Sequence, residues 1–161
     1  MGVSGAGKTV VGQALAQSLG WPFYDADAFH PPANIAKMAS GTPLTDADRW
    51  PWLDNIADEM AGVLARGDNA VLACSALKDA YRQRLARAGD VRFVFLKGDR
   101  DAIAQRCATR THEYMPASLL DSQFATLEEP ADALVVDVRD ELPEKVAKIR
   151  AAFALGAGAP A

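Results

Sequence analysis

Eight residues near the start of the chain, Gly2-Val3-Ser4-Gly5-Ala6-Gly7-Lys8-Thr9, fit the pattern G-x-x-x-x-G-K-[ST]. With this composition, a chance match of its four fixed positions somewhere in the chain has a probability of about 1 in 400. The glycines let the backbone wrap until successive N–H groups point inward. A helix starting at Lys8 would aim its positive end at the same point. The segment therefore reads as a phosphate cradle, with Gly2, Ser4, Gly5, Ala6, Gly7, Lys8 and Thr9 as nucleotide-binding candidates. Lys8 is expected to reach the β- and γ-phosphates of ATP, and the Thr9 hydroxyl to ligate Mg²⁺. Such a loop joins a strand to a helix in an α/β sheet, so it commits the rest of the chain to alternating strands and helices.

The periodicity agrees. Val10, Val11, Ala14, Leu15 and Leu19 share one helical face before Gly20, and Trp21 to Tyr24 reads as a short strand ending at Asp25. Residues 25 to 51 are loop-rich, punctuated by Pro31, Pro32, Gly41 and Pro43, with one short helix around Ile35 to Met38. That much punctuation marks a functional loop. From Trp52 an amphipathic helix repeats through Leu53, Ile56, Ala57, Met60, Val63 and Leu64 to a stop at Gly67, with Pro51 in its first turn. Apolar runs at 70–74, 91–96 and 134–138 suit strands of a buried parallel sheet. Helices are expected around Tyr81–Ala88, Ala102–Thr109, Ala117–Leu127 and Leu142–Phe153. The expected fold is α/β with a mainly parallel sheet, as a single domain over 1–153 followed by a flexible tail over 154–161. Only Met1 precedes Gly2, so the first, central strand, of about five or six residues, is expected to be missing from this chain.

Composition narrows the function classes. Seventeen Lys and Arg against 21 Asp and Glu leave a net charge of −4, so no overall basic field recruits nucleic acid or anionic lipid, and an anionic ligand needs a local site. No apolar run reaches the roughly 18 residues of a membrane span, and no signal sequence is seen. Cys74 and Cys107 show neither disulfide nor zinc spacing, which fits a reducing cytosol.

Two carboxylates, Asp25 and Asp27, close the second expected strand, where ligands collect in open α/β sheets. In an extended chain they point the same way. One could then hold Mg²⁺ through water while the other accepts a hydrogen bond from a substrate hydroxyl and serves as base; the bland alternative is a solvated acidic turn. His30 reads either as a substrate ligand or as an ordinary loop residue. Arg106 and Arg110, four apart, share one helix face, of which the bland reading is a solvated surface.

Several blocks together carry a resemblance: Gly2–Thr9, Asp25–Asn34 with its H-P-x-x-N, Lys37–Leu44, Asp46–Leu53 within G-x-P-L-x-D-x-D-R-x-P-W-L, Cys74-Ser-Ala-Leu-Lys78, Tyr81-Arg82 and Ser122–Glu128. From residue 2 to about 150 the chain resembles the gluconate kinase family. The resemblance implies a three-layer P-loop kinase fold, ATP-dependent phosphorylation of D-gluconate at its 6-hydroxyl, Mg²⁺ as cofactor, a cytoplasmic location and a homodimer. Lys8, Asp27, Arg106 and Arg110 become the catalytic candidates. Asp27, His30, Arg49, Lys78 and Arg82 become the substrate-binding ones, since a polyol carboxylate calls for cations and hydrogen-bonding groups. Thr9 and Asp25 are the metal candidates, and a lid is expected around 106–120. The alternatives are a P-loop kinase for another small hydroxy acid such as shikimate, or a catalytically impaired nucleotide-binding module. One of Trp50 and Trp52 is expected to pack the core and the other to line the pocket.

Two positions depart from the family pattern. Ala26 stands where the family usually has glycine, which matters if that position needs positive φ. In the lid, His112-Glu113-Tyr114 replaces Gly-His-aromatic.

Overall fold

The computed structural model of the chain describes residues 1–40, 42–108 and 117–156. Helix α1 (Lys8–Leu19) ends at Gly20, whose positive φ of 70° lets its N–H turn back to the carbonyls of Ala16 and Gln17. Strand β1 (Phe23–Asp25) passes directly into a 3₁₀ turn (Ala26–Phe29), followed by α2 (Pro32–Ala39). Helix α3 (Asp46–Ala65) starts six residues earlier than the apolar stripe indicates. Thr45 accepts from the Asp48 amide while the Asp48 carboxylate accepts from the Thr45 amide, and this capping box places Pro51 inside the helix instead of in its first turn. Next come β2 (Val71–Ala73), α4 (Asp79–Ala86), β3 (Val94–Lys97), α5 (Arg100–Ala108), α6 (Ala117–Thr126), β4 (Leu134–Asp137) and α7 (Leu142–Ala152).

All strand pairing among the described residues is parallel, in two pairs. In the first, Phe23, Tyr24 and Asp25 of β1 face Val71, Leu72 and Ala73 of β2; in the second, Val94 to Lys97 of β3 face Leu134 to Asp137 of β4. The first residues of the chain run between the pairs. The Met1 amine donates to Val94 O at 2.5 Å, its carbonyl accepts from Leu96 N at 3.0 Å, and Gly2 N donates to Ser75 O at 3.1 Å. Burial holds that amine well below its usual range, at a pKa of about 5. Beside Met1 lies an apolar cavity of about 350 Å³, walled by Val71 and Leu72 on one side, Val94 and Leu96 on the other, and Leu15 and Val63 from the helices.

Two apolar clusters hold the molecule together. One gathers Val3, Val11, Leu15, Leu96, Ile103, Val136, Val138 and Ile149 around β3, β4 and the helices α1 and α7; the other gathers Trp52, Leu53, Ile56, Cys74, Tyr81 and Leu85 around α3 and α4. Helix α1 packs tightly enough on β1 that a Cβ at Gly12 would come within 2.7 Å of the Phe23 ring. Cys74 is a buried free thiol whose pKa burial pushes up to about 11, so at neutral pH it packs as a small apolar group.

Candidate active site

The phosphate loop is built by backbone geometry. Gly7, the residue before α1, has a φ of 93° and offers no side-chain cap, so the first amides of α1 face the loop unscreened. Gly2 has a φ of 140°, and a Cβ there would meet the Leu96 carbonyl oxygen at 2.9 Å, so only glycine lets the loop sit this close to β3. The Lys8 ammonium lies against the loop, donating to Val3 O at 3.0 Å. Beside Gly7 stands the Arg106 guanidinium, 3.4 Å from where a Cβ on that glycine would be, tethered to Val138 O at 2.8 Å. Arg110, its expected partner, and the lid residues His112, Glu113 and Tyr114 lie outside the described residues.

Thr9 joins this loop to the first carboxylate. Its Oγ1 donates to Asp25 Oδ2 at 3.3 Å, while Asp25 Oδ1 accepts from the Asp27 amide at 3.1 Å and caps the 3₁₀ turn. The extended arrangement expected of Asp25 and Asp27 does not occur. The chain turns helical directly after Asp25, because that carboxylate captures the amide two residues on. Asp27 consequently stands out in solvent with its side chain 90% exposed, 4.0 Å from His30 Nε2. Ala26 is buried in the turn and is not among the residues with positive φ, so the alanine in place of glycine is accommodated without strain.

His30 is held by stacking and by a polar neighbour. It stacks on Trp52 at 4.4 Å with 12° between planes, and its Nδ1 lies 3.4 Å from Asn34 Nδ2. Desolvation lowers its pKa, and Arg49 pushes the same way against the opposing pull of Asp27. Trp52 packs the core. It is 5% exposed, carries His30 on its face, and donates from Nε1 to Ala26 O at 2.7 Å, fixing the turn that presents Asp27. Trp50 is half-buried, with its ring edge-on to Tyr81.

A second group of cations gathers at the start of α3. Asp46 accepts from Lys78 Nζ at 2.6 Å and from the Tyr81 hydroxyl at 2.5 Å, and Arg49 NH1 lies 3.9 Å from it. Arg49 and Lys78 both approach the Tyr81 ring, at 5.9 and 5.5 Å from its centroid. The Lys78 and Tyr81 hydrogen bonds hold the Asp46 carboxyl below its usual pKa, and Asp46 raises that of Lys78. Asp48, clamped by Lys37 at 2.6 Å and by Thr45, falls to a pKa of about 2. Arg82, expected as a substrate ligand, is turned inward. It is 5% exposed, and its guanidinium is committed to Ala76 O, Leu77 O and Asp79. There it braces the loop that carries Lys78, in which Ala76 adopts a positive φ of 44°.

Sequence reasoning passed over four contributors. Asp46 and Tyr81 organise the cation group, Asn34 links the His30 turn to α3 by donating to Asp48 O at 2.8 Å, and Lys145 is buried with its ammonium on Val138 O and Asp140 O. Burial, then the nearby Arg106, lowers the Lys145 pKa. Only Asp46 had a local signal, the Thr45-x-x-Asp48 capping box that fixes where α3 begins.

Comparison with known proteins places this geometry in a family. A family model described as shikimate kinase matches residues 4–152. The chain is 52% identical over 134 residues to a gluconokinase of Gluconobacter oxydans (strain 621H), covering 82% of this chain and 75% of that protein. The chain belongs to the gluconokinase family. A probable gluconokinase of Xenopus tropicalis is 44% identical over 168 residues, covering 92% of this chain and 88% of that protein. The crystal structure of a gluconokinase from Sinorhizobium meliloti 1021 superposes with a TM-score of 0.86 at 45% identity, covering 96% of this chain and 89% of that one. The three-layer P-loop kinase fold is thus the fold of this gluconokinase-family chain, and the match to the shikimate kinase model reflects the scaffold that such kinases share.

Proposed function

We propose that the protein transfers the γ-phosphoryl group of ATP to the 6-hydroxyl of D-gluconate, giving 6-phospho-D-gluconate and ADP. The observation that carries this reading is the contact between Thr9 and Asp25, which places the carboxylate turn, and with it Asp27 and His30, against the end of the phosphate loop. Its fit to gluconate rests on the strong likeness to gluconokinases together with the cation group at Arg49 and Lys78.

Each residue has a role that its setting supports. Asp27, exposed and next to the Thr9–Asp25 contact, takes the proton of the attacking hydroxyl as its oxygen bonds to phosphorus and the bridge to ADP breaks. Lys8 and Arg106 balance charge on the phosphates, and the phosphate-loop amides orient them. Arg49 and Lys78 bind the gluconate carboxylate, leaving His30, whose pKa burial lowers, to read a hydroxyl. Thr9 and Asp25 offer two hard oxygen donors 3.3 Å apart beside the phosphate cradle, a donor set that fits Mg²⁺. When bound, the metal neutralises phosphate charge; Thr9 and Asp25 would hold it. Arg110 and the lid around 106–120 are proposed to close over the nucleotide, within one domain over 1–153 with a tail at 154–161. We also read the protein as a cytoplasmic homodimer without nucleic-acid or membrane partners; among the described residues no helix is long and apolar enough to cross a membrane.

A coupled assay of ADP release with D-gluconate, with shikimate and with no acceptor tests the proposal. Release that depends on gluconate supports it. Release dependent on shikimate alone, or ATP binding without turnover, overturns it in favour of a different hydroxy-acid kinase or a non-catalytic nucleotide-binding module.

A further inference from the structure

One short segment, Ser122–Glu128, touches both halves of the site. Phe124 and Leu127, three residues apart, pack onto the apolar cluster around β3 and β4 and fix the segment in place. Gln123 reaches the phosphate loop across 119 residues of sequence. Its Oε1 accepts from the Ser4 amide at 2.7 Å and its Nε2 donates to Ser4 Oγ at 3.1 Å, a two-point grip on one residue. Five residues later Glu128 grips the other loop. Its amide donates to Leu77 O at 2.9 Å and its Oε2 accepts from the Asp79 amide at 2.6 Å, bracketing Lys78.

We propose that Gln123 and Glu128 are positioning residues for two different substrates: Gln123 sets the phosphate loop for the nucleotide through Ser4, and Glu128 sets the Leu77–Asp79 loop so that Lys78 meets the acceptor. The chemistry favours a split over a general structural role. Each side chain bonds to a single loop, each accepts from a backbone amide whose direction it fixes, and the Gln123 carboxamide, with acceptor and donor on separate atoms, accepts from Ser4 N while donating to Ser4 Oγ. A negative side chain at 123 would keep the accepting oxygen, lose the donor, and set a charge close to where phosphates bind.

The inference rests on the kinase reading for its acceptor half, and the experiment separates the two. Affinity for a non-hydrolysable ATP analogue is measured for the wild type, Gln123→Met and Gln123→Glu, and steady-state KM for ATP and for gluconate is measured for these and for Glu128→Ala. Expected for Gln123→Met is a roughly three- to tenfold weaker grip on the ATP analogue with an unchanged gluconate KM, and for Gln123→Glu a larger loss. Glu128→Ala is expected to raise the gluconate KM by a similar factor with the ATP KM unchanged. Analogue affinity within twofold of wild type in both Gln123 variants overturns the nucleotide half, and parallel changes in both KM values overturn the split. If Gln123→Met fails to fold, the affinity of Gln123→Glu decides the nucleotide half. A wild type that binds the analogue but does not turn over gluconate rejects the kinase reading and with it the acceptor half, while the analogue measurements still decide the role of Gln123.

Discussion

The two halves of the site are made from different materials. On the nucleotide side, Gly2 to Thr9 are shaped by positive φ at glycines and by a bare helix start, and the core beneath is aliphatic: Val3, Val11, Leu15, Leu96, Val136, Val138. On the acceptor side the core mixes Trp52 and Tyr81 with Leu53, Ile56 and Leu85, and its shape comes from side chains bonded across long stretches of chain. Trp52 holds Ala26, Asn34 holds Asp48, and Asp46 holds Lys78 and Tyr81. A phosphate presents the same few oxygens in every nucleotide, so backbone amides in a fixed curve suffice. A polyol acid presents a particular sequence of hydroxyls and one carboxylate, and only placed side chains can read them. The two materials meet at the contact of Thr9 with Asp25.

Substitutions can break this division or sharpen it. The largest effect is expected at Trp52, which is 5% exposed: Trp52→Ala should cost about 3–5 kcal/mol in urea unfolding. In conditions where the variant remains folded, its affinity for an ATP analogue should stay within about twofold of wild type. A parallel fall in nucleotide affinity would show that the halves are not separable. Next in size, Lys8→Met should lower kcat by roughly 10²–10³-fold while isothermal titration still detects gluconate binding, and loss of gluconate binding would tie Lys8 to the acceptor. A smaller change is expected at Asp46, where Asp46→Asn loosens Lys78 and Tyr81 and should raise the gluconate KM about two- to fivefold at constant ATP KM.

The smallest effect concerns acid. Asp48 has a folded pKa of about 2 against an ordinary 3.8, a depressed carboxyl, so it stabilises the fold above pH 4 and that contribution fades as pH falls from about 4 toward 2. Thermal melts of wild type and Asp48→Asn should therefore differ at pH 6 and converge near pH 2. A gap that stays constant over that range would mean that the clamp by Lys37 and Thr45 does not set the titration.

The same division explains what could be read from the chain in advance. The phosphate loop, α1 and its stop at Gly20 were legible because their causes are local: glycines at fixed spacing, an apolar face, a C-terminal glycine. The parallel strands were legible as apolar runs, though the hydrogen-bonded portions, such as Val71–Ala73, are shorter than those runs. Helix α3 began earlier than its apolar stripe because a capping box overrides periodicity, and Pro51 is carried inside it. On the acceptor side the residue types were visible as matched blocks, but not their geometry. Nothing local distinguishes Arg82, turned inward onto Ala76 and Leu77, from Arg49, which stands near the Tyr81 ring. Nor does any spacing link Ser4 to Gln123. The turn after Asp25 is hidden for the converse reason, since an Asx capture two residues on is local but competes with an equally plausible strand ending.

In the proposed reaction the two halves bring a hydroxyl to a phosphate, with Asp27 proposed to take its proton. The most direct measurement is therefore the single-turnover rate of Asp27→Asn with saturating ATP and gluconate, alongside the affinity of each substrate. The rate should fall about 10²–10⁴-fold with both affinities near wild type. A rate close to wild type would remove Asp27 as the base and contradict the assembly of the site around the Thr9–Asp25–Asp27 contact.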